Sequence, residues 1–177
     1  MNRLKEEQRE EKRRLLGLPI YSASEEILSA VSHGIGVLLS IAALVLLLVS
    51  GDPIVIVSLS IYSATLILLY LVSTLYHALG VNKGKRVFRI LDHCSIFLLI
   101  AGTYTPVSFA LDDFWRKAII IGMWSCTLIA LIIHVVWINA PRWLYVPVYI
   151  IFGVSGVAFM YFFWVSPAAG PAVVVLL

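Results

Sequence analysis

Long uncharged runs of apolar residues dominate the chain and determine its predicted elements. No Asp, Glu, Lys or Arg occurs in residues 27–51, 53–82, 93–111, 118–141 or 143–177. A helix needs about 20 apolar residues to cross the hydrocarbon core of a bilayer. The runs are too long for the strands of a membrane barrel and lack their alternating pattern. The sequence therefore predicts an all-α, polytopic membrane bundle.

Each of the first four runs predicts one spanning helix, and the fifth run holds one complete helix and the start of another. The predicted spans lie near 27–50, 54–79, 89–110, 117–138 and 143–165, and a sixth begins near 171. The break within the last run follows from Pro167 and Pro171, because proline interrupts helical hydrogen bonding. Ser22 with Glu25 predicts a capping box before the first span, and Asp112 opens the fourth.

Composition supports the membrane class and excludes several others. Of 177 residues, 61% are hydrophobic and 13% are charged, whereas soluble domains average about 45–50% and about 25%. A soluble domain, a disordered chain and a nucleic-acid binder are therefore poor interpretations. Two cysteines cannot build a disulfide scaffold, and Cys94 and Cys126 are interpreted as apolar packing residues. Membrane lipid is the expected partner, and the oligomeric state stays open.

The basic residues are distributed unequally between the two ends of the predicted spans. One side carries Arg3, Lys5, Arg9, Lys12, Arg13, Arg14, Lys83, Lys85, Arg86, Arg89 and Arg142. The opposite side carries Arg116 and Lys117. Basic loops stay in the cytoplasm, so the sequence predicts a multi-pass protein of the cell membrane with a cytoplasmic N-terminus. Residues 1–21 form a charged tail in this prediction, and residues 22–177 form the transmembrane domain.

The charged tail allows two interpretations. Residues 4–14 have the pattern of a solvated helix, because four glutamates offset six basic residues in the tail. The alternative is a tail that lies on anionic lipid. The solvated helix is the preferred prediction.

Ionisable residues inside the predicted spans concentrate near the cytoplasmic ends. They are His33, His77, Asp92, His93 and His134. Such groups are costly in a membrane and tend to mark sites or pathways. Ser73 and His77 are four residues apart and so share a helix face, and Asp92 begins the next span. This trio predicts a metal or acid–base site, whereas histidines that simply lie at the interface are the alternative interpretation.

Three segments carry a family resemblance. The first span begins Glu26-Ile-Leu-Ser-Ala-Val-Ser-His33, the second ends Ser73-Thr-Leu-Tyr-His77, and the third opens Leu-Asp92-His93 and continues to Pro106. In combination they resemble the haemolysin-III branch of the adiponectin-receptor-like family, also called the progestin and adipoQ receptors. The resemblance covers about residues 22 to 165. It implies a bundle of seven helices with a cytoplasmic N-terminus.

The resemblance also implies a zinc site near the cytoplasmic side. It assigns His77 as a metal ligand, and it assigns Ser73 and Asp92 to positioning the water on the metal. The other two family ligands belong to a His-x-x-x-His motif in a seventh span, and this sequence has no such motif. Zinc usually needs three protein ligands. The zinc site is therefore expected to be incomplete here, and the chain is expected to be truncated before the seventh helix.

The resemblance implies a zinc-dependent hydrolase that acts on a lipid amide or a related membrane lipid. A second hypothesis is a non-enzymatic cytolytic protein, as the family name suggests. A third is a receptor or a regulator of lipid homeostasis. A transporter with a proton relay ranks last, because no chain of polar residues crosses the outer half of the predicted spans.

The predicted orientation can be tested directly. A reporter fused into the loop near Asp52 should report an extracytoplasmic location, because the loop carries no basic residue. The same reporter placed between residues 80 and 82 should report the cytoplasm. A cytoplasmic signal from the Asp52 fusion would contradict the orientation.

Overall fold

The computed structural model describes residues 2–49, 53–109, 111–137, 146–147 and 149–154. Five helices have defined bounds: α1 Asn2–Leu15, α2 Ala23–Leu48, α3 Pro53–Ala78, α4 Lys83–Ser108 and α5 Asp113–Val136. Residues 146–147 and 149–154 are also helical. The described part contains no strand, so the predicted all-α class is confirmed.

Four helices within the described residues are long and apolar enough to cross a bilayer. They correspond to the first four predicted spans. The predicted fifth span lies mostly outside the described residues, and the start of a sixth lies wholly outside them. Large apolar side chains are exposed along the four helices, for example Leu38 at 68% and Leu46 at 74%. Apolar exposure on this scale fits contact with lipid.

Helices α2, α4 and α5 begin before their apolar runs do, because their capping residues lie in the polar flanks. Ser22 and Glu25 form the predicted capping box at the start of α2. Asp112 accepts hydrogen bonds from the backbone of Phe114 and Trp115 at the start of α5. The side chain of Asn82 likewise accepts the Lys85 backbone N–H at 2.9 Å. Uncharged runs therefore locate the apolar middle of each span, whereas caps locate the helix starts.

The chain divides into two compact units, and α1 belongs to the same unit as α2. The first unit comprises Met1–Ser50 and Ser63–Ile96, and the second comprises Gly51–Tyr62 and Phe97–Leu177. The predicted division into a tail of residues 1–21 and a membrane domain of residues 22–177 stays a prediction.

The end of α1 explains how the tail joins the first unit. Gly17 has a φ of 64°, and its N–H bonds the Arg14 carbonyl while Leu18 N–H bonds the Arg13 carbonyl. This is a Schellman cap, which favours glycine at the left-handed position. The cap turns the chain so that Leu18 is buried. Residues 7–12 are exposed as the solvated-helix prediction requires, but that prediction is wrong for Arg13, which is 4% exposed.

Packing in the second unit joins α4 to α5 and to the helical residues that follow. Phe97 and Ala101 are buried, and the Phe97 ring lies 4.7 Å from the Tyr149 ring. Thr127 Oγ1 donates to the Phe97 carbonyl at 3.2 Å, and Trp124 Nε1 donates to Thr105 Oγ1 at 3.2 Å. Hydroxyl and indole groups thus find partners inside the bundle, as an apolar solvent demands.

Close packing in the first unit depends on a glycine in α2. A Cβ atom at Gly36 would lie 3.0 Å from the Tyr70 ring, whereas one at Gly34 would lie 3.8 Å from Thr74 Cγ2. Small residues let membrane helices approach each other closely, and of these two glycines Gly36 has the closer neighbour.

These two glycines form a matched pair for a stability test. Gly36→Ala should destabilise the protein by about 1–3 kcal/mol relative to Gly34→Ala, because the new methyl group overpacks against Tyr70. Both changes gain the same helix propensity, so the comparison isolates packing. Thermal unfolding in detergent measures the difference. Equal stabilities would show that the Tyr70 ring moves aside without cost.

Candidate functional site

A buried carboxylate organises one end of the first unit. Glu26 Oε1 accepts a hydrogen bond from Arg13 Nη2 at 2.7 Å, and Glu26 Oε2 accepts one from Lys85 Nζ at 2.5 Å. His77 Nδ1 lies 3.6 Å from the same Oε2. Lys85 is 1% exposed and Glu26 is 8% exposed. We call these four residues the Glu26 cluster.

The helix ends explain why these residues meet. Glu26 lies in the first turns of α2, His77 lies in the last turn of α3, and Lys85 lies in the first turn of α4. Arg13 comes from the last turn of α1. Buried ions are tolerated when they are paired and hydrogen-bonded. Both cations also donate to main-chain carbonyls. Arg13 Nη1 donates to the Pro19 carbonyl, and Lys85 Nζ donates to the Leu79 carbonyl.

Aromatic rings surround His77. The Tyr76 ring centroid lies 4.6 Å from that of His77, the Tyr21 centroid lies 5.8 Å away, and the His33 centroid lies 6.2 Å away. The two histidine rings are nearly parallel, with 4° between their planes. His77 Nδ1 is buried and has no hydrogen-bond partner among the described residues.

His33 has a ring orientation set by its own helix. Its Nδ1 lies 2.8 Å from the Ser29 carbonyl, and a carbonyl can only accept, so Nδ1 carries the proton. This contact leaves the lone pair of the neutral ring on Nε2, which is the arrangement usual for a metal-binding histidine. Ser29 and His33 are four residues apart and so share a helix face, and the contact uses the backbone carbonyl of Ser29.

The three predicted site residues fall in the first unit. Ser73 is 4% exposed and lies one turn before His77 in α3. Asp92 is half-buried in α4. The Glu26 carboxylate oxygen Oε2 lies 3.6 Å from His77 Nδ1. The first unit thus contains a hydroxyl, an imidazole and two carboxylates, contributed by α2, α3 and α4.

The other histidines and the two cysteines that the sequence offers as candidates have the following surroundings. His93 Nδ1 bonds the Arg89 carbonyl at 2.9 Å, and His134 is buried in α5. Cys94 is buried and Cys126 is exposed, and both are free. No group of three or more His, Cys, Asp or Glu side chains in the described residues is arranged to hold a metal ion.

Comparison with known proteins identifies the family. A family model described as haemolysin-III related matches residues 21–177. The chain belongs to the haemolysin-III-related family. The match confirms the resemblance carried by the Glu26, Ser73 and Asp92 segments, and it covers all of the sequence from the end of the α1–α2 linker onward.

Two relatives are similar to this haemolysin-III-related chain. The Hemolysin-3 homolog of Bacillus subtilis (strain 168) is 37% identical over 139 residues, which is 76% of this chain and 65% of the relative. The Hemolysin-3 of Bacillus cereus is 48% identical over 86 residues, which is 46% of this chain and 39% of the relative. The chain therefore matches less than two thirds of the length of each relative. No solved structure matches the sequence.

Reasoning from the sequence missed most of the Glu26 cluster in this haemolysin-III-related protein. The sequence predicts a role for Glu25, which completes the capping box, whereas Glu26 appears only in a segment that carries the family resemblance. Glu26, Ser29 and His33 are spaced at i, i+3 and i+7, so they share a helix face. That spacing was the available signal for Glu26. No local pattern singled out Lys85 or Arg13 among the other basic residues.

Lys85 offers a test of the cluster. Lys85→Met should destabilise the protein by about 3 kcal/mol, because it removes one partner of a buried ion pair. Lys83→Met is the matched control, since Lys83 is exposed, and it should change stability by no more than about 0.5 kcal/mol. Thermal unfolding in detergent measures both. Similar melting temperatures for the two variants would contradict the cluster.

Proposed function

We propose that the protein is an integral membrane hydrolase that uses zinc and acts on a lipid amide or a related membrane lipid. The observation that carries the proposal is the surroundings of His77. Its imidazole is mostly buried, Ser73 lies one turn away in the same helix, and the Glu26 carboxylate oxygen Oε2 lies 3.6 Å from its Nδ1 atom. Ionisable groups set among apolar helices tend to mark functional sites.

His77 fits one position of a zinc site. Neutral imidazole is a preferred zinc ligand, and the buried His77 ring has an Nδ1 atom without a hydrogen-bond partner in the described residues. A catalytic zinc ion usually has three protein ligands. No group of three or more His, Cys, Asp or Glu side chains in the described residues is arranged for a metal ion, so we assign His77 alone as a ligand.

The chain's own residues suit hydrolysis of an amide. Zinc, when bound, would polarise the scissile carbonyl and activate water. The Ser73 hydroxyl would orient the attacking water by a hydrogen bond, and Asp92 would accept a proton from it as general base. Water would add to the carbonyl carbon, the C–N bond would break, and the amine would leave with a proton. A substrate dissolved in the bilayer could reach a site between spanning helices without leaving the lipid.

A cytolytic function is the second candidate, and the names of the relatives favour it. Both matched Bacillus proteins carry the name Hemolysin-3. In either case we place the protein in the cell membrane with the N-terminus in the cytoplasm, as the distribution of basic residues supports.

Metal analysis tests the hydrolase proposal. The protein purified from its complete reading frame should contain stoichiometric zinc, and His77→Ala should lose most of it because a ligand is removed. His134→Ala is the control and should retain the metal. Elemental analysis measures the zinc content. Equal zinc in the wild type and in His77→Ala would refute His77 as a ligand.

A liposome assay separates the two candidate functions. Release of a trapped dye that persists in His77→Ala would favour lysis without hydrolysis. Cleavage of a ceramide-like amide that disappears in the same variant would favour the hydrolase.

A further inference from the structure

The end of α1 and the start of α4 meet at the Glu26 cluster. Arg13 of α1 and Lys85 of α4 bind different oxygens of the same Glu26 carboxylate. Arg89 provides a second link, because its Nη1 atom donates to the Gly17 carbonyl just after α1. These contacts hold the two helix ends beside each other within the first unit.

Exposed basic side chains flank the two buried cations. They lie next to Arg13 in α1 and next to Lys85 in α4, and they are Lys12, Arg14, Lys83 and Arg86. A residue one or two positions from a buried cation lies within one helical turn of it. The four exposed cations therefore share one end of the first unit, and we call them the basic surface.

The described part of the chain does not neutralise the basic surface. None of its four side chains forms an ion pair with a described residue. Residues 12–26 and 80–91 contain seven basic residues and two acidic ones, Glu25 and Glu26. Glu26 is bound by the two buried cations, and Glu25 is used in the capping box. The positive charge of the surface is therefore in excess of its neighbouring acidic residues.

The basic residues at the start of α4 are not explained by the helix itself. The partial positive charge at a helix N-terminus favours acidic side chains there. Helix α5 follows this rule, since Asp113 in its first turn pairs with Lys117 at 2.6 Å. The first turn of α4 has no acidic residue, and its Lys83 and Arg86 are exposed. A bound anion would compensate both charges.

Exposed apolar side chains adjoin the basic surface. Leu15 is exposed directly after Arg14, and Val87 is exposed directly after Arg86. Ile27 is exposed near the start of α2. Cations beside apolar side chains suit the boundary between lipid headgroups and acyl chains. A soluble anion would use the charges alone, whereas a phospholipid would use both kinds of side chain.

We propose that the basic surface binds an anionic phospholipid in the leaflet at this end of the spans. Cations from α1 and from α4 contact the phosphate region together, and the acyl chains pack against the adjoining apolar side chains. The Glu26 cluster is the support, because its ion pairs hold the two helix ends beside each other. This binding requires neither a metal ion nor the proposed hydrolase activity.

Native mass spectrometry of the purified protein in detergent measures the binding of individual lipids. The probes are dioleoyl phosphatidylglycerol and dioleoyl phosphatidylcholine, which have the same acyl chains and differ in headgroup charge. The wild type should bind the first phosphatidylglycerol at least about tenfold more tightly than phosphatidylcholine. Equal affinities would overturn the proposal. Glycerol phosphate that displaces phosphatidylglycerol at equal concentration would also overturn it, because the surface would then select a soluble anion.

Two double variants test whether both helices contribute. The first is Lys12→Gln with Arg14→Gln, and the second is Lys83→Gln with Arg86→Gln. Each should weaken phosphatidylglycerol binding about 5–25-fold, since each basic residue near an anionic lipid contributes about fivefold in affinity. Phosphatidylcholine binding should change less than about twofold in both. Unchanged phosphatidylglycerol binding in either double variant would contradict a surface shared by α1 and α4.

Two controls separate charge from other effects of substitution. Lys117→Gln removes an exposed cation that Asp113 already neutralises, and it should leave phosphatidylglycerol binding unchanged. Lys83→Arg with Arg86→Lys retains both charges and should bind phosphatidylglycerol within about twofold of the wild type. A loss in this charge-retaining variant as large as that in Lys83→Gln with Arg86→Gln would refute recognition by charge.

Discussion

The buried Glu26 carboxylate pairs with two buried cations, Arg13 and Lys85, and the arrangement of the helix ends around it depends on these ion pairs. Burying any one of Glu26, Arg13 and Lys85 in an apolar bundle without an opposite charge would strongly destabilise the fold. Because the three residues come from different helices, satisfying their charges requires the end of α1 and the starts of α2 and α4 to lie together. His77, at the end of α3, is adjacent to the same carboxylate. The ion pairs thus determine the polar surroundings of the histidine.

This constraint changes the interpretation of the N-terminal segment. Its composition is that of a solvated helix, and residues 7–12 are exposed as expected. Its last turn differs, because the Schellman cap at Gly17 directs Leu18 into the core and Arg13 toward Glu26. A segment that is polar along most of its length can therefore still contribute to a buried site through one residue and one cap.

The polar residues in the segments that resemble the haemolysin-III-related family all lie in one unit of the structure. The family match begins at residue 21, just before the capping box that starts α2. The residues that resemble the family motifs, Glu26, His33, Ser73, His77 and Asp92, all lie in the first unit. In the structure Glu26 Oε2 lies 3.6 Å from His77 Nδ1, and the centroid of the His33 ring lies 6.2 Å from that of the His77 ring. Segments far apart in sequence thus contribute to one polar region.

The sequence by itself determined the all-α class, the bounds of the four described apolar helices to within six residues and two of the helix caps. These features depend on local properties, namely the length of uncharged runs and the residues at helix starts. It also singled out Ser73, His77 and Asp92, through helix spacing and family resemblance. Only the tertiary structure decided which basic residues are buried and which glutamate faces His77. That choice depends on contacts such as Lys85 with Glu26, 59 residues apart in sequence, and no local pattern distinguishes Lys85 from the exposed Lys83.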